Sequence, residues 1–138
     1  MADEQDETLL ESFWEVARQV RQMSRQALAP WDITPSHARA MGVLTRHGEI
    51  RLSELSDHLH IAPRTATEVV DALQERGFVQ RRADPDDRRA TLVSLTAEGK
   101  RVSDAIRSTR AAEAERFFGT LSAADRAHLS RILRTFKH

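Results

Sequence analysis

A charged turn between two short strand-like runs constrains this chain more than any other segment. The runs 77–82 (Gly-Phe-Val-Gln-Arg-Arg) and 91–95 (Thr-Leu-Val-Ser-Leu) contain β-branched and apolar residues, and an Asp-Pro step between them favours a turn. We therefore predict an antiparallel hairpin with a charged tip, which is the shape of a wing. The tip carries both signs of charge in Asp84, Asp86, Asp87, Arg88 and Arg89.

Two helical patterns stand in series directly before the hairpin. In the first, Leu52, Leu55 and Leu59 recur at helical spacing, and Ser53 is available as the N-cap. The second covers 63–77, where a proline suits the first helical position and a glycine suits the C-terminal cap. The order of elements is therefore helix, helix, hairpin.

The second helix is expected to have one apolar and one polar face. Val69, Val70 and Leu73 should face the core. A short polar front on the second helix of such a pair is what enters a major groove of DNA. This front consists of Arg64, Thr65, Thr67 and Glu68.

The hairpin and the two helices resemble those of the MarR family of winged helix-turn-helix transcription regulators. The most specific element is the wing pattern Asp-x-Arg, five residues and Leu-Thr, met by Asp87, Arg89, Leu95 and Thr96. Supporting motifs stand in family order at 55–59, 65–67 and 75–79. The resemblance covers nearly the whole chain. It implies a mainly α fold with a small β-wing, in which a winged helix-turn-helix domain is flanked by N- and C-terminal dimerisation helices.

Three segments are expected within the 138 residues, a length that suits one compact domain with helical extensions. Residues 1–33 comprise an acidic tail and the N-terminal dimerisation helix. Residues 34–98 form the winged helix-turn-helix DNA-binding domain, and residues 99–138 form the C-terminal dimerisation helices.

Both ends of the chain carry helical patterns that are too apolar to be left in water. An apolar stripe covers 7–28, and a capping pattern at 122–125 opens a last helix after a long one. The resemblance implies that these helices interlock two chains into a homodimer; the alternative is that they fold back onto their own winged helix. Residues expected to face inward include Leu10, Phe13, Trp14, Val16, Val102, Ile106, Phe117, Phe118, Leu129, Ile132, Leu133 and Phe136.

A helix between the first helix and the winged helix begins with Thr34 as cap and Pro35 as first residue. Members of the resembled family often hold a small aromatic or phenolic effector where this helix, the first helix and the fifth converge. We assign Trp14, His37 and Met41 to that pocket. The alternative for each is ordinary packing on an apolar helical face.

The start of the second helix of the pair is expected to contact DNA. Arg64 would bind a guanine edge bidentately or bind phosphate, and Thr65 and Thr67 would contact bases, a thymine methyl group or phosphate, unless they cap their own helix. Two positions depart from the family. Glu68 stands where the family often carries Arg and would tether Arg64, and Ala62 leaves the helix N-terminus uncapped, either free for a phosphate oxygen or as a small loss of stability.

The wing is expected to reach the neighbouring minor groove. The resemblance implies that Arg89 enters this groove while Asp87 holds its guanidinium, and a narrow A·T-rich groove would favour the arginine. The alternative is a structural wing in which this pair only stabilises the turn. The other charged residues should contact phosphate or pair with one another: Arg81, Arg82 and Arg88 with Asp84 and Asp86.

The formal net charge of zero conceals an uneven distribution. Residues 1–11 hold five acidic residues and no basic one, so residues 12–138 carry 21 basic against 16 acidic residues. A modestly basic body suits a nucleic-acid partner. The acidic start is also unlike a secretory signal, and no apolar run approaches the roughly 20 residues that cross a bilayer. We therefore expect a cytoplasmic protein without a membrane partner.

Other functional classes lack their motifs. The sequence has no Gly-rich phosphate loop and no nucleophile elbow, and without cysteine it has no disulfide or thiolate metal site. Of the six histidines only His58 and His60 are close, and residues two apart in a helix point apart. We expect no enzyme, cofactor or metal. A metal-responsive regulator and a winged-helix module for protein contacts stay open as alternatives, although the latter would favour an apolar front.

The sequence therefore predicts a homodimer that binds double-stranded DNA and responds to a small-molecule effector. Its two recognition helices would enter successive major grooves of a pseudo-palindromic operator, about 10 base pairs apart. Repression is the expected sign. As in the resembled family, effector binding would lower the affinity for DNA.

Overall fold

The computed structural model describes residues 4–137, which form helices around a small antiparallel sheet. The predicted fold class, mainly α with a β-wing, is confirmed. In chain order the elements are α1 (Glu4–Leu28), a short 3-10 turn (Ala29–Trp31), α2 (Pro35–His47), β1 (Ile50–Arg51), α3 (Leu52–Leu59), α4 (Pro63–Glu75), β2 (Val79–Asp84), β3 (Asp87–Leu95), α5 (Ala97–Phe118) and α6 (Ala123–Arg134).

Three predicted helix ends are confirmed. The Thr34 hydroxyl accepts a hydrogen bond from the His37 backbone N–H at 3.2 Å and caps α2. The Ser122 hydroxyl caps α6 by accepting from the Asp125 N–H at 3.1 Å. After α4 the chain turns through Gly77 with φ of 79°, a left-handed conformation that glycine adopts without a Cβ clash.

The predicted cap of α3 is wrong. The helix begins at Leu52 and its N-cap position is Arg51, so Ser53 already lies in the first turn. The Glu54 carboxylate accepts from the Arg51 backbone N–H at 3.2 Å. Because Arg51 is also the last residue of β1, the sheet and not a local cap sets where α3 begins.

The strand β1 was not predicted, and it joins the wing to the helices. The strand order is β1-β3-β2, and both pairings are antiparallel. Ile50 and Arg81 flank Val93 on the central strand, and Val93 is completely buried. The wing is therefore the extension of a three-stranded sheet whose base belongs to the core.

The core lies between α2, α3, α4, the sheet and the beginning of α5. The predicted inward positions of α3 and α4 are confirmed, and Met41 on α2 is also buried. Side chains that are no more than 1% exposed include Met41, Leu55, Val70, Leu73, Val93 and Val102. We call this body, residues 35–106, the lobe.

The start of α5 is attached closely to the end of α4. The Thr96 hydroxyl donates to the Gly77 carbonyl oxygen at 2.6 Å and accepts from the Gly99 N–H at 3.0 Å. A Cβ built on Gly99 would lie 2.0 Å from the Phe78 carbonyl oxygen. Only glycine therefore permits this approach of helix to strand.

Large apolar side chains of α1 and α6 are exposed, in contrast to those of the lobe. In the described chain α6 contains no buried residue, so Ile132, Leu133 and Phe136 are not covered within one chain, and their burial between two chains stays a prediction. Phe136 lies beyond the end of α6 and is 70% exposed. The apolar stripe of α1 is also open, with Phe13 and Trp14 more than half exposed. Among the described helices, none combines the length and apolar character needed to span a bilayer.

Candidate nucleic-acid interface

Helix α4 presents the predicted polar front. Arg64, Thr65 and Glu68 are exposed, while Val69 and Val70 on the opposite side are buried in the lobe. This confirms which face of α4 is free. Among the described residues no ion pair joins Glu68 to Arg64, so the proposed tether does not form.

The other residues at the start of α4 differ in whether their side chains make hydrogen bonds. The Thr67 hydroxyl donates to the Pro63 carbonyl oxygen at 3.0 Å, one turn earlier in the same helix. In the part of the chain that the structure describes, the exposed Thr65 side chain has no hydrogen bond. Ala62 stands at the N-cap without a capping side chain, as its sequence position indicated.

The tip of the wing projects Arg89 into solvent. The Asp87 carboxylate accepts from the Arg89 backbone N–H at 3.0 Å and lies 3.8 Å from the Arg89 Nε. The Arg89 side chain is 95% exposed, and an exposed ion pair of this length contributes little. Asp87 thus shapes the backbone of the tip and leaves the guanidinium extended. Arg88 is also exposed beside it.

Asp84 secures the base of the wing tip. Its carboxylate is buried, accepts from the Asp86 N–H at 2.9 Å, and accepts from Arg51 Nε at 2.9 Å. The Asp86 N–H, followed by the Arg51 guanidinium, lowers the pKa of Asp84 below its ordinary value. The hairpin arginines were expected either to contact phosphate or to pair with Asp84 and Asp86, and among the described residues it is Arg51 that pairs with Asp84. Arg51 comes from β1, which the sequence did not reveal.

Arg82 makes a second attachment on the same strand. Its Nε and Nη2 donate to the two carboxylate oxygens of Glu49 at 2.9 and 2.6 Å. These hydrogen bonds raise the pKa of Arg82 and lower the pKa of Glu49. Arg82 is therefore paired, but with a residue just before β1 and not with an aspartate of the tip.

Arg81 makes the third attachment, to α4. Its guanidinium donates to Asp71 Oδ1 and Gln74 Oε1, both at 2.5 Å, and its side chain is only 25% exposed. A phosphate contact by Arg81 would require these bonds to open. Together, Arg81, Arg82 and Asp84 hold β2 to α4, to Glu49 and to β1.

A cleft of about 410 Å³ separates α4 from the wing. It is lined by Ser53 of α3, by Pro63 and Thr67 of α4, and by Arg89 and Thr91 of β3. The start of α4 and the wing tip with Arg89 therefore stand on either side of a groove.

Residues 33–91 match the model of the MarR family. This chain belongs to the MarR family. It is 30% identical over 95 residues to the uncharacterized HTH-type transcriptional regulator YsmB of Bacillus subtilis, covering 69% of this chain and 65% of that protein. It is 27% identical over 90 residues to the HTH-type transcriptional repressor MdtR of Bacillus subtilis, covering 65% and 58%. The chain thus spans about three fifths of the length of the curated relatives it matches.

Solved structures share the architecture of this MarR-family chain. The crystal structure of RV1404 from Mycobacterium tuberculosis has a TM-score of 0.85 at 27% identity, covering 99% of this chain and 94% of that one. A MarR mutant from E. coli complexed with operator DNA has a TM-score of 0.79 at 23% identity, covering 99% and 100%. The second likeness is one of fold.

The three residues predicted to line an effector pocket do not converge in this MarR-family chain. Met41 lines a pocket of about 450 Å³ between α2 and α5, whereas Trp14 and His37 lie outside it. Trp14 is 51% exposed on α1. His37 is half-buried, and burial, followed by the positive charge of Arg76, lowers its pKa.

Sequence reasoning missed the polar residues of this pocket. Arg46 of α2 and Arg107 and Arg110 of α5 lie around it, and the Thr45 and Ser103 hydroxyls face each other at 2.9 Å. Within residues 4–137, Arg110 Nε is the buried side-chain nitrogen or oxygen without a hydrogen-bond partner. Arg110 could have been noticed because it follows Val102 and Ile106 at the same four-residue spacing.

One histidine contact was also missed. The rings of His47 and His58 stack with centroids 4.1 Å apart, although only His58 and His60 are close in sequence. Across residues 4–137 no group of three or more histidine, aspartate or glutamate side chains is arranged to hold a metal ion. The metal-responsive alternative therefore has no supporting cluster in the described part of the chain.

Proposed function

We propose that this MarR-family chain is a homodimeric transcription regulator that represses by binding a pseudo-palindromic operator in double-stranded DNA. The observation that carries the proposal is the pair of exposed projections beside one cleft. Arg64 stands on the front of α4, and Arg88 and Arg89 stand at the tip of the wing. Helix α4 would occupy the major groove and the wing the adjacent minor groove.

Each projection has a distinct part in recognition. Arg64 contacts a guanine edge or phosphate, and Thr65 adds a contact to a base, a thymine methyl group or phosphate. Thr67 has its hydroxyl donor engaged with Pro63 and is left with acceptor capacity. Arg89 enters the minor groove. The remaining members of the site are Arg88 at phosphate, Asp87 shaping the tip and Arg81 setting the wing against α4.

The exposed apolar ends support the homodimer. Leu9, Leu10, Phe13 and Trp14 on α1, with Ile132 and Leu133 on α6, are large apolar side chains open to solvent in one chain. A two-fold dimer covers the same surface on both partners at once. It also places two recognition helices at a repeat that a pseudo-palindromic operator can match.

The pocket between α2 and α5 supports an effector that is an amphipathic organic anion. Met41 and Ile106 provide an apolar floor, and Arg46, Arg107 and Arg110 provide positive charge for a carboxylate or phenolate. Binding there would lower the affinity for operator through a coupling of about 1 to 3 kcal/mol. The parts of Trp14 and His37 in effector binding stay predictions.

The DNA proposal is tested by fluorescence anisotropy with the duplex flanking the protein's own gene and with a scrambled duplex, over a salt series. Wild type should bind the native duplex more tightly, and Arg89→Ala should weaken that binding by about 1 to 3 kcal/mol. Arg101→Ala is the matched control, because Arg101 loses the same charge but pairs only with Glu98 on α5. Equal binding of both duplexes, or an equal loss in both variants, would contradict specific recognition through the wing.

No binding to either duplex would favour the alternative of a winged helix used for protein contacts. The polar front of α4 speaks against that alternative, since a protein interface is depleted of charge at its centre.

The effector proposal is tested by calorimetry with benzoate and, as its uncharged counterpart, benzyl alcohol. Benzoate should bind more tightly, and Arg110→Gln should remove that preference. Equal affinity for the two compounds in wild type would overturn the assignment of an anionic ligand to this pocket.

A further inference from the structure

Arg76 joins the recognition helix to the junction between α1 and α2. It stands just after α4, and its Nη1 donates to the Asp32 carbonyl oxygen at 2.8 Å while its Nη2 donates to the Trp31 carbonyl oxygen at 2.6 Å. Two parallel bonds from one planar guanidinium determine orientation as well as distance. Among the described residues these are the side-chain hydrogen bonds that link α4 to residues 29–34.

The junction has a particular conformation to be held. It leaves α1 through a 3-10 turn and then passes through Asp32 in the left-handed region, with φ of 51°. The Asp32 N–H bonds back to the Ala29 carbonyl oxygen at 3.2 Å. Leu28 and Ile33 on either side are buried. The junction is therefore anchored at both ends, and Arg76 binds the two carbonyl groups between the anchors.

Arg76 itself is held in place on the lobe side. Its guanidinium lies over the ring of Phe78, 5.0 Å from the centroid, and Phe78 is buried. The Phe78 N–H bonds to the Leu73 carbonyl oxygen at 2.9 Å and closes the turn after α4. The Arg76 side chain is therefore held both by the Phe78 ring and by the carbonyl groups of the junction, so a displacement of the junction acts on the end of α4.

Direct DNA contact is not the role of this arginine. Arg76 follows Arg64 by twelve positions, which is about 18 Å along a helix. Its guanidinium already donates hydrogen bonds to the two carbonyl groups of the junction. Arg64 and Arg76 thus serve opposite ends of the same helix.

We propose that Arg76 is a positioning residue that couples the end of the dimerisation helix α1 to the recognition helix. The proposal rests on the proposed function and adds the route by which the arrangement of two protomers reaches α4. Any change in the angle between α1 and the lobe shifts the two carbonyl groups, and Arg76 transmits that shift to the end of α4. Coupling of this kind is reciprocal, so DNA bound at α4 must also stabilise the junction.

The test compares Arg76→Gln with Arg39→Gln by amide hydrogen exchange, with and without the duplex flanking the protein's own gene. Arg39 is a matched control because its Nη2 also donates to a backbone carbonyl, that of Leu59 at 3.1 Å, but within the lobe. In wild type and Arg39→Gln, DNA should slow exchange in residues 29–34. In Arg76→Gln this DNA-induced slowing should be lost, and operator affinity should fall about tenfold.

The salt dependence of binding separates positioning from contact. The slope of log K against log salt should be the same for Arg76→Gln and wild type, because no phosphate contact is removed. A slope reduced by about one unit would make Arg76 a phosphate ligand and overturn the proposal. Unchanged DNA-induced slowing in Arg76→Gln would overturn it as well.

Two further arms keep the result interpretable. Arg76→Lys retains the positive charge but not the planar guanidinium with its two hydrogen bonds, so it should lose the coupling as Arg76→Gln does. Recovery of the coupling by Lys would show that charge alone is responsible and refute the proposal. If the wild type binds neither the duplex flanking its own gene nor the scrambled duplex, the proposed function fails, and this failure is separate from that of the coupling. The coupling can still be tested in the protein without DNA. There, Arg76→Gln should speed amide hydrogen exchange in both 29–34 and 73–78, and faster exchange in only one segment would refute the coupling.

Discussion

The lobe and the two ends of the chain differ in how far their apolar side chains are covered. In the lobe, Leu55, Val70 and Val93 are completely buried by their own chain. At the ends, Phe13 is 56% exposed and Phe136 70% exposed. Both regions carry amphipathic helices, so an apolar stripe tells us that a surface will be covered but not whether the same chain covers it. The core of the lobe is covered within one chain, whereas large apolar side chains at the ends are left exposed in one chain.

The largest effect expected from this difference is the loss of stability in Leu55→Ala. Deleting a completely buried leucine removes its packing and leaves a cavity, which costs about 2 to 5 kcal/mol. Urea unfolding at low protein concentration should show this loss, whereas Leu10→Ala, at a side chain that is 55% exposed, should leave the curve nearly unchanged. Similar losses in both variants would mean that α1 is stabilised within one chain and that the contrast is wrong.

The next largest effect is expected for Gly99→Ala. The new methyl group would meet the Phe78 carbonyl oxygen at 2.0 Å and force α5 away from the sheet, at a cost of about 1 to 3 kcal/mol. Thermal unfolding measures the change.

A matched glycine makes this prediction sharper. Gly42 lies in the interior of α2, and a Cβ there would meet nothing within 4 Å apart from its chain neighbours and the backbone of its own helix. Gly42→Ala should therefore be stabilising by about 0.5 to 1 kcal/mol, because alanine restricts the unfolded chain and favours the helix. A loss of stability in Gly42→Ala equal to that in Gly99→Ala would show that close packing at Gly99 is not the cause.

A smaller effect, confined to association, is expected for Phe13→Ala. Truncating an aromatic side chain at the centre of a covered surface weakens binding by more than about 1 kcal/mol, so the dimer dissociation constant should rise about tenfold or more. Sedimentation equilibrium measures this constant. Arg101→Ala should leave it unchanged, because Arg101 is an exposed residue paired with Glu98 in the first turns of α5, where that helix packs on the lobe through Val102. If Phe13→Ala sediments like wild type at every concentration, the face of α1 is not the dimer surface.

The smallest effect is the response of the lobe to acid. The pKa of Asp84 is lowered by the Asp86 N–H and by Arg51, and the pKa of His37 is lowered by burial and by Arg76. A lowered pKa in the folded state means stability that is present above the ordinary pKa and is lost as pH falls through the folded value. His37 should therefore contribute to a decline below pH 6.5, and Asp84 to a further decline below pH 3.8.

Two variants separate these contributions. His37→Gln should flatten the first part of the decline and Asp84→Asn the second, as measured by urea midpoints over a pH series. Curves parallel to wild type in both variants would show that neither group is linked to unfolding in the expected direction.

The features that the sequence predicted depend on neighbours along the chain. The hairpin, the caps at Thr34 and Ser122, and the left-handed turn at Gly77 each follow from residues within a few positions. The apolar faces of α3 and α4 follow from helical periodicity. Most of the fold of the lobe could therefore be predicted from local patterns of residues.

The features that the sequence did not predict depend on partners far along the chain. Arg51 meets Asp84 across 33 positions, and Arg76 meets Asp32 across 44. The two-residue strand β1 is too short for an alternating pattern to reveal it. The arginines around the pocket likewise come together only when α2 packs on α5. The sequence alone does not show which arginine pairs with which aspartate, because several arginines lie near each aspartate along the chain. These pairs follow only from the folded arrangement.

The single hydroxyl of Thr96 has a consequence for dividing this protein into fragments. It closes the turn after α4 through Gly77 and begins α5 through Gly99, while Val102 and Ile106 complete the core from the first turns of α5. A fragment that stops at the end of the wing, Leu95, would lack this hydroxyl, its partner Gly99 and two core side chains. A separately folding piece that contains the lobe must therefore extend to about residue 107, and it would carry about the first half of α5 with it.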